Sequence, residues 1–281
     1  MLGDKFRFRF VKTGTLRLLS HHDLMRCVER MLRRAALPFK STAGFHPSPR
    51  VVFALSLPLG IAGLDEVVEI EFTRALEPDD VLAKLRAQAP DGLTFTCCSI
   101  QPMKATAIPR RVAYWLALRP EQVAATIERC RELMAREKVW VERLKPNPKR
   151  LNIRPYLRSL QVECTAAMAA RIAATMSELR TRECAVLVVD FWVTQTGTAR
   201  MDELLKLLDL ADLSQDGSLI ERAMVEIHDE VSKTDPADVP PAGPAETLPL
   251  EPAALAALVQ RDEEQSTAVE WSVSHTAAVV E

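Results

Sequence analysis

The stretch from Lys12 to Gly60, KTGTLRLLSHHDLMRCVERMLRRAALPFKSTAGFHPSPRVVFALSLPLG, leaves few folds open. Just before it, Phe6, Phe8 and Phe10 alternate with Lys5, Arg7 and Arg9, the period of a half-buried strand. Ser20 then stands where a helix needs an N-cap. Asp23, three residues on, approximates a capping box and puts negative charge at the positive end of the helix dipole. Leu24, Val28, Met31, Leu32 and Ala35 fall on one helical face, with Arg26, Arg30 and Arg33 in a row on another. Pro38 ends the helix. Ser41 to Pro49 reads as a turn-rich connection, and Val51 to Leu59 as an apolar strand.

Val67 to Phe72 is a second alternating strand, followed by a helix after Pro78 and a strand from Leu93 to Ile100. That order, β-α-β-β-α-β, is the ferredoxin-like split βαβ pattern. A similar order follows: a strand over Arg111–Leu118, a helix over Glu121–Arg136, a short strand over Val139–Leu144, strands over Tyr156–Cys164 and Cys184–Val193, a helix over Met201–Leu210 and a last strand over Ser218–His228. The Pro-broken segment KPNPKRLNIRP reads as a loop, and Thr165–Arg180 as an inserted helix. The expected architecture is therefore α+β, with two ferredoxin-like (βαββαβ) halves, residues 1–104 and 105–230. From 231 to 281 the chain is Pro-rich, acidic and poor in large apolar residues. Such a segment cannot offset its chain entropy, so a disordered acidic tail is expected.

The net charge of −2 hides an asymmetry. Residues 1–50 carry eleven Lys/Arg against three Asp/Glu, and residues 101–160 carry fourteen against five, whereas residues 202–281 carry four against eighteen. A basic body favours polyanionic partners, and an acidic end mainly adds solubility. No run of eighteen apolar residues is present, and MLGDKFRFRF lacks the core of a signal peptide, so the expectation is a cytoplasmic chain without a membrane span. The six cysteines form no C-x-x-C pair and no disulfide-like framework.

Three chemistries compete for the first motif. A metal site from His21, His22, Asp23 and His46 is disfavoured, because adjacent histidines on a helix face different directions. A nucleophilic Ser20 is disfavoured, because its hydroxyl is already committed as the cap. Anion binding fares better. Arg17, Arg26, Arg50 and Arg154 lie in or beside turn-rich segments, and a guanidinium suits bidentate contact with phosphate. On this reading Gly44 to Pro49, with Gly44, Phe45, His46 and Pro47 as ligand-binding candidates, shape a pocket wall, Ser20 and Asp23 hold the start of the helix, and His21 is a further candidate contact. No catalytic residue and no metal ligand can be named.

These residues resemble a known family, the radical SAM-associated (radical SAM-linked) domain, often fused to or encoded beside B12-binding radical SAM proteins. Its pattern runs roughly K-x-G-x-L-R-F-L-S-H-L-D-L-M-R, then R-R-A-x-L-P, a G-F-N-P-H-P turn, and a strand ending in P-L-P-x-G. Lys12, Gly14, Leu16, Arg17, Ser20, His21, Asp23, Leu24, Met25, Arg26, Arg33, Arg34, Gly44, Phe45, Pro47, Pro49, Pro58 and Gly60 match. His22, His46 and Ser48 depart, standing where Leu, Asn and His are usual. Further on, Asn152–Tyr156 resembles D-x-R-P-Y, and Gly197–Leu208 resembles G-x-x-R-P-x-E-L-L with Arg200 and Glu203 kept.

The resemblance implies an accessory module that binds an anionic substrate, RNA being the candidate, for a radical SAM protein. The three-cysteine spacing that holds an iron–sulfur cluster is missing from this chain. The cluster, SAM and B12 are therefore expected in the partner, with no cofactor here. Two alternatives stay open: an RNA-processing or RNA-modifying enzyme in its own right, and a structural protein adaptor.

Overall fold

The structure, a computed structural model, describes residues 4–45, 47–145, 147–214, 218–231 and 238–260. The chain divides into two compact units, Met1–Ala135 with Tyr156–Pro241, and Arg136–Pro155 with Ala242–Glu281.

The larger unit is mixed α+β. Its first strand, β1 (Lys5–Lys12), leads through a 3-10 turn at Gly14–Leu18 to α1 (His21–Arg34). Then come β2 (Val51–Phe53), β3 (Ala62–Glu71), α2 (Pro78–Arg86), β4 (Leu93–Gln101), β5 (Pro109–Leu118) and α3 (Val123–Ala135). The smaller unit takes β6 (Trp140–Arg143) and β7 (Lys149–Asn152). The larger unit resumes with β8 (Leu157–Cys164), α4 (Ala169–Ala173), β9 (Ala185–Trp192), α5 (Met201–Leu207) and β10 (Ile220–Ile227). Last comes β11 (Thr247–Leu248), in the smaller unit.

One sheet runs through the larger unit in the order β4-β1-β3-β10-β5-β9-β8, with β2 also on β3. Two antiparallel quartets compose it: β1 to β4, and β5, β8, β9 and β10. In each, the first strand in sequence lies between the fourth and the third, with the second outside the third. The quartets meet where β10 runs parallel to β3, pairing Glu221 with Ala62 and Arg222 with Gly63.

The alternation of β1 sets the two faces. Phe6, Phe8 and Phe10 are fully buried and pack with Leu24, Val28, Met31 and Leu32 of α1, and with Val81, Leu82 and Leu85 of α2. Phe6 meets Phe72, and Phe8 meets Phe95, edge-on at 5.3 and 5.8 Å between centroids. Each buried ring stabilises by about 1.5–3 kcal/mol. On the opposite face Arg7 is also buried, donating to Glu69 at 2.9 Å and to Asp229 at 2.7 Å.

Several sequence expectations are corrected. The strand foreseen over Val51–Leu59 stops at Phe53, because the carbonyls of Leu55 and Ser56 accept from Arg222 instead of from a neighbouring strand. The helix foreseen over Thr165–Arg180 is only α4 and a 3-10 turn at Glu178–Thr181. Ser177 breaks it by capping Leu179 N–H and donating its hydroxyl to the buried Glu221. Met168, Ile172 and Leu179 of that segment cover Trp115 and Val188 on the sheet. The presumed loop KPNPKRLNIRP holds β7, hydrogen-bonded to β6 on one side and β11 on the other. Within the expected tail, β11 is therefore paired, and residues 252–260 are helical. Residues 232–237 and 261–281 lie outside the described residues.

Gly63 fixes the seam between the quartets. A Cβ there would sit 2.5 Å from Glu66 Cγ and 2.8 Å from its Oε1. Gly63→Ala must displace the Glu66 carboxylate from its buried partner Arg222. The expected cost is about 3 kcal/mol in urea denaturation, and a loss below about 0.5 kcal/mol would contradict this reading of the seam.

Candidate functional site

The segment after β1 shapes one wall of a cavity. Gly14, at φ +59, turns the chain into the 3-10 segment, and the Arg17 carbonyl accepts from Gly60 N–H at 2.9 Å. Lys12, fully buried, donates Nζ to the Leu19 carbonyl at 2.7 Å. Ser20 Oγ accepts from Asp23 N–H and donates to the Asp23 carboxylate at 2.7 Å, so the cap forms as its residues require. His21 follows, its ring edge-on to Phe53 at 5.2 Å between centroids.

The cavity encloses about 570 Å³. Leu55, Pro58 and Ile61 form one side; Tyr114, Ile220 and Arg222 line it from β5 and β10; Thr198–Asp202 and Leu205 close the other. Arg17 and Arg200 both line it, Arg17 half-buried and Arg200 exposed, joined by the exposed Asp202. Among the described residues neither arginine has a carboxylate at ion-pair distance, whereas Arg222 is paired with Glu66. Its Nε donates to Glu66 Oε1 at 2.7 Å and its Nη2 to Oε2, and other N–H groups reach Ser56 and Leu55 carbonyls at 2.9 and 3.3 Å.

The electrostatics follow from that pair. Burial opposes the charge of Arg222, but Glu66 and Tyr114 outweigh it and raise its pKa. Burial lowers the pKa of Lys12, with Glu66 opposing and Arg222 adding to the effect. Burial raises the Tyr114 pKa, keeping the phenol protonated. The His21 pKa is lowered by burial first and then by His22, Lys12 and Arg222.

Of the ligand-binding candidates named from sequence, Arg17 alone among the described residues is part of the lining. Arg26 is exposed and faces Asp23 at 3.6 Å. Arg50 lies 3.5 Å from Glu71, which Lys40 also approaches at 3.1 Å. Arg154 belongs to the smaller unit and donates Nε to the Arg136 carbonyl at 3.1 Å. Gly44 adopts φ +140, Phe45 is fully exposed and Pro47 is exposed; none of these three residues lines the cavity. His46 lies outside the described residues. Tyr114, Arg200 and Arg222 went unforeseen. Arg200 sat inside the Gly197–Leu208 motif, whereas a register shift between Arg222 and Met224 hides from simple alternation that Arg222 shares its row with Ile220 and Val225.

A second cavity of about 910 Å³ opens on the other sheet face, but three of its four lining arginines are paired with carboxylates, and the fourth, Arg180, donates to the Ala173 carbonyl at 3.3 Å. Arg111 reaches Glu226 at 2.8 Å, Arg158 reaches Asp190 at 3.1 Å, and Arg171 reaches Glu163 at 3.0 Å. The Arg17–Arg200 cavity is the better candidate for an anion. Among the described residues no three His, Cys, Asp or Glu side chains gather at metal-ligating distance, and no helix is long and apolar enough to cross a membrane.

A lowered His21 pKa means that the folded state binds fewer protons there than the unfolded chain. Its contribution to stability is present above about pH 6.5 and is lost as pH falls below that value. An NMR titration should place the His21 midpoint below about 6.5, and Lys12→Gln should raise it; a midpoint at or above that value would contradict the arrangement.

No curated protein matches the chain. The crystal structure of an unknown protein from Galdieria sulphuraria matches with a TM-score of 0.23 and 9% identity, over 80% of this chain and 99% of that one. A carbohydrate oxidase from Microdochium nivale, in complex with a substrate analogue, gives a TM-score of 0.19 and 10% identity over 75% and 43%. Neither likeness carries an argument. The model of a family described as uncharacterized protein conserved in bacteria (DUF2344) matches residues 5–185, and the chain belongs to that family.

Proposed function

We propose that this protein binds an anionic substrate in the Arg17–Arg200 cavity and presents it to a radical SAM partner, of the B12-binding kind, which performs the reaction. One observation carries the reading: two of the three segments that resemble the radical SAM-associated domain, Lys12–Gly60 and Gly197–Leu208, border the same cavity. They are far apart in sequence, yet each brings an arginine to that opening. On this reading the iron–sulfur cluster, SAM and B12 belong to the partner, in keeping with the lack of a three-cysteine cluster spacing in this sequence. The two strand quartets are read as ferredoxin-like halves, because each follows the same four-one-three-two order.

RNA is the candidate substrate, and the full chain tests it. Total RNA should bind at low ionic strength and dissociate steeply as salt rises. Arg17→Gln with Arg200→Gln should weaken that binding about tenfold or more, since each removes a charge-assisted contact. No RNA binding at low ionic strength would remove RNA as the substrate. Failure of the full chain to co-elute with a B12-binding radical SAM protein would remove the accessory role.

A further inference from the structure

We infer that the Arg17–Arg200 cavity holds one amphipathic unit at a time: a singly charged head, carboxylate or phosphodiester, with an apolar body that accepts a hydrogen bond from Tyr114. The inference rests on the cavity being the substrate site and specifies what enters it. Its volume of about 570 Å³ suits a single small ligand rather than a track along a polymer. Leu55, Pro58, Ile61, Met201, Leu205 and Ile220 give it apolar walls, which reward an apolar body and not a bare anion.

Charge fixes the orientation. Arg222, the innermost cation, commits four hydrogen bonds to the Glu66 carboxylate and the Leu55 and Ser56 carbonyls, and its charge is already balanced by Glu66. The head must therefore pair with Arg17 and Arg200, the half-buried and exposed cations, leaving the body inward. Asp202 lines the same opening and disfavours a second negative charge on that head.

Tyr114 supplies the specificity. Arg222 and Tyr114 line the cavity together, and a guanidinium, which can only donate, cannot take the phenol's hydrogen. Among the described residues no acceptor takes the phenol's own hydrogen, and Tyr114 lines the cavity, so that hydrogen is left for the ligand. A body without an acceptor leaves it unsatisfied.

Isothermal titration of the full chain tests this with two probes. One is 4-methoxycinnamate, a carboxylate with a planar body and a far-end ether oxygen; the other is uridine 5′-methylphosphate, a phosphodiester bearing base carbonyls. Binding of either at least about tenfold tighter than acetate and 4-methoxycinnamide supports the inference, and the probe that binds names the source, free acid or RNA. Arg17→Gln and Arg200→Gln should each weaken it about tenfold, and Tyr114→Phe about fivefold, with melting curves confirming that the variants fold. Acetate binding as tightly as either probe, or probe affinity unmoved by the arginine variants, overturns the inference. RNA retention that depends on Arg17 and Arg200, with neither probe bound, overturns this inference alone. Retention indifferent to both arginines overturns the assignment of the cavity as well.

Discussion

The buried pair of Arg222 and Glu66 is the interaction on which the rest depends. It sits where the two strand quartets join, at a parallel contact only two residue pairs long, Glu221 with Ala62 and Arg222 with Gly63. So short a ladder cannot hold two half-sheets in register by backbone hydrogen bonds alone. The guanidinium adds a forked bond to Glu66 and ties down the Leu55 and Ser56 carbonyls. Taking both charges out of water is costly, and only near-complete hydrogen bonding offsets it. Gly63 is required because the Glu66 side chain occupies the space a Cβ would fill.

The cavity is a by-product of that seam. Strand β3 begins at Ala62, earlier than its alternating residues suggest, and reaches β10; the preceding loop then has to bend over the sheet. Arg222 holds the loop there, and Gly60 N–H ties it to the Arg17 carbonyl. The first half of the chain thus supplies Arg17 and an apolar wall. The second supplies Tyr114 and Arg200. Since Arg222 is consumed by structure, it organises the opening without entering the binding chemistry. Burial, with Arg222 adding to it, lowers the pKa of the buried Lys12 and of the half-buried His21.

Local patterns were legible where one face of an element is apolar. The Phe6–Phe8–Phe10 alternation, the Ser20 cap and the α1 stripe all appear as their spacing dictates. Elements decided by distant partners were not. Val51–Leu59 looks like a strand until Arg222, more than a hundred and fifty residues on, claims its carbonyls. Lys149–Asn152 looks like a loop because two prolines flank it, yet partners on both sides make it a strand. The site was half legible for the same reason. A guanidinium in a turn-rich segment reads identically whether it faces a ligand, as Arg17 can, or a local carboxylate, as Arg26 and Arg50 do.

The most direct measurement is a crystal structure of the full chain with 4-methoxycinnamate. The account predicts the carboxylate within hydrogen-bond distance of both Arg17 and Arg200, the ring among Leu55, Met201 and Leu205, and the ether oxygen at Tyr114. A ligand seated instead beside Arg158 or Arg171 on the other sheet face, or Arg17 and Arg200 opening onto separate surfaces, would contradict it.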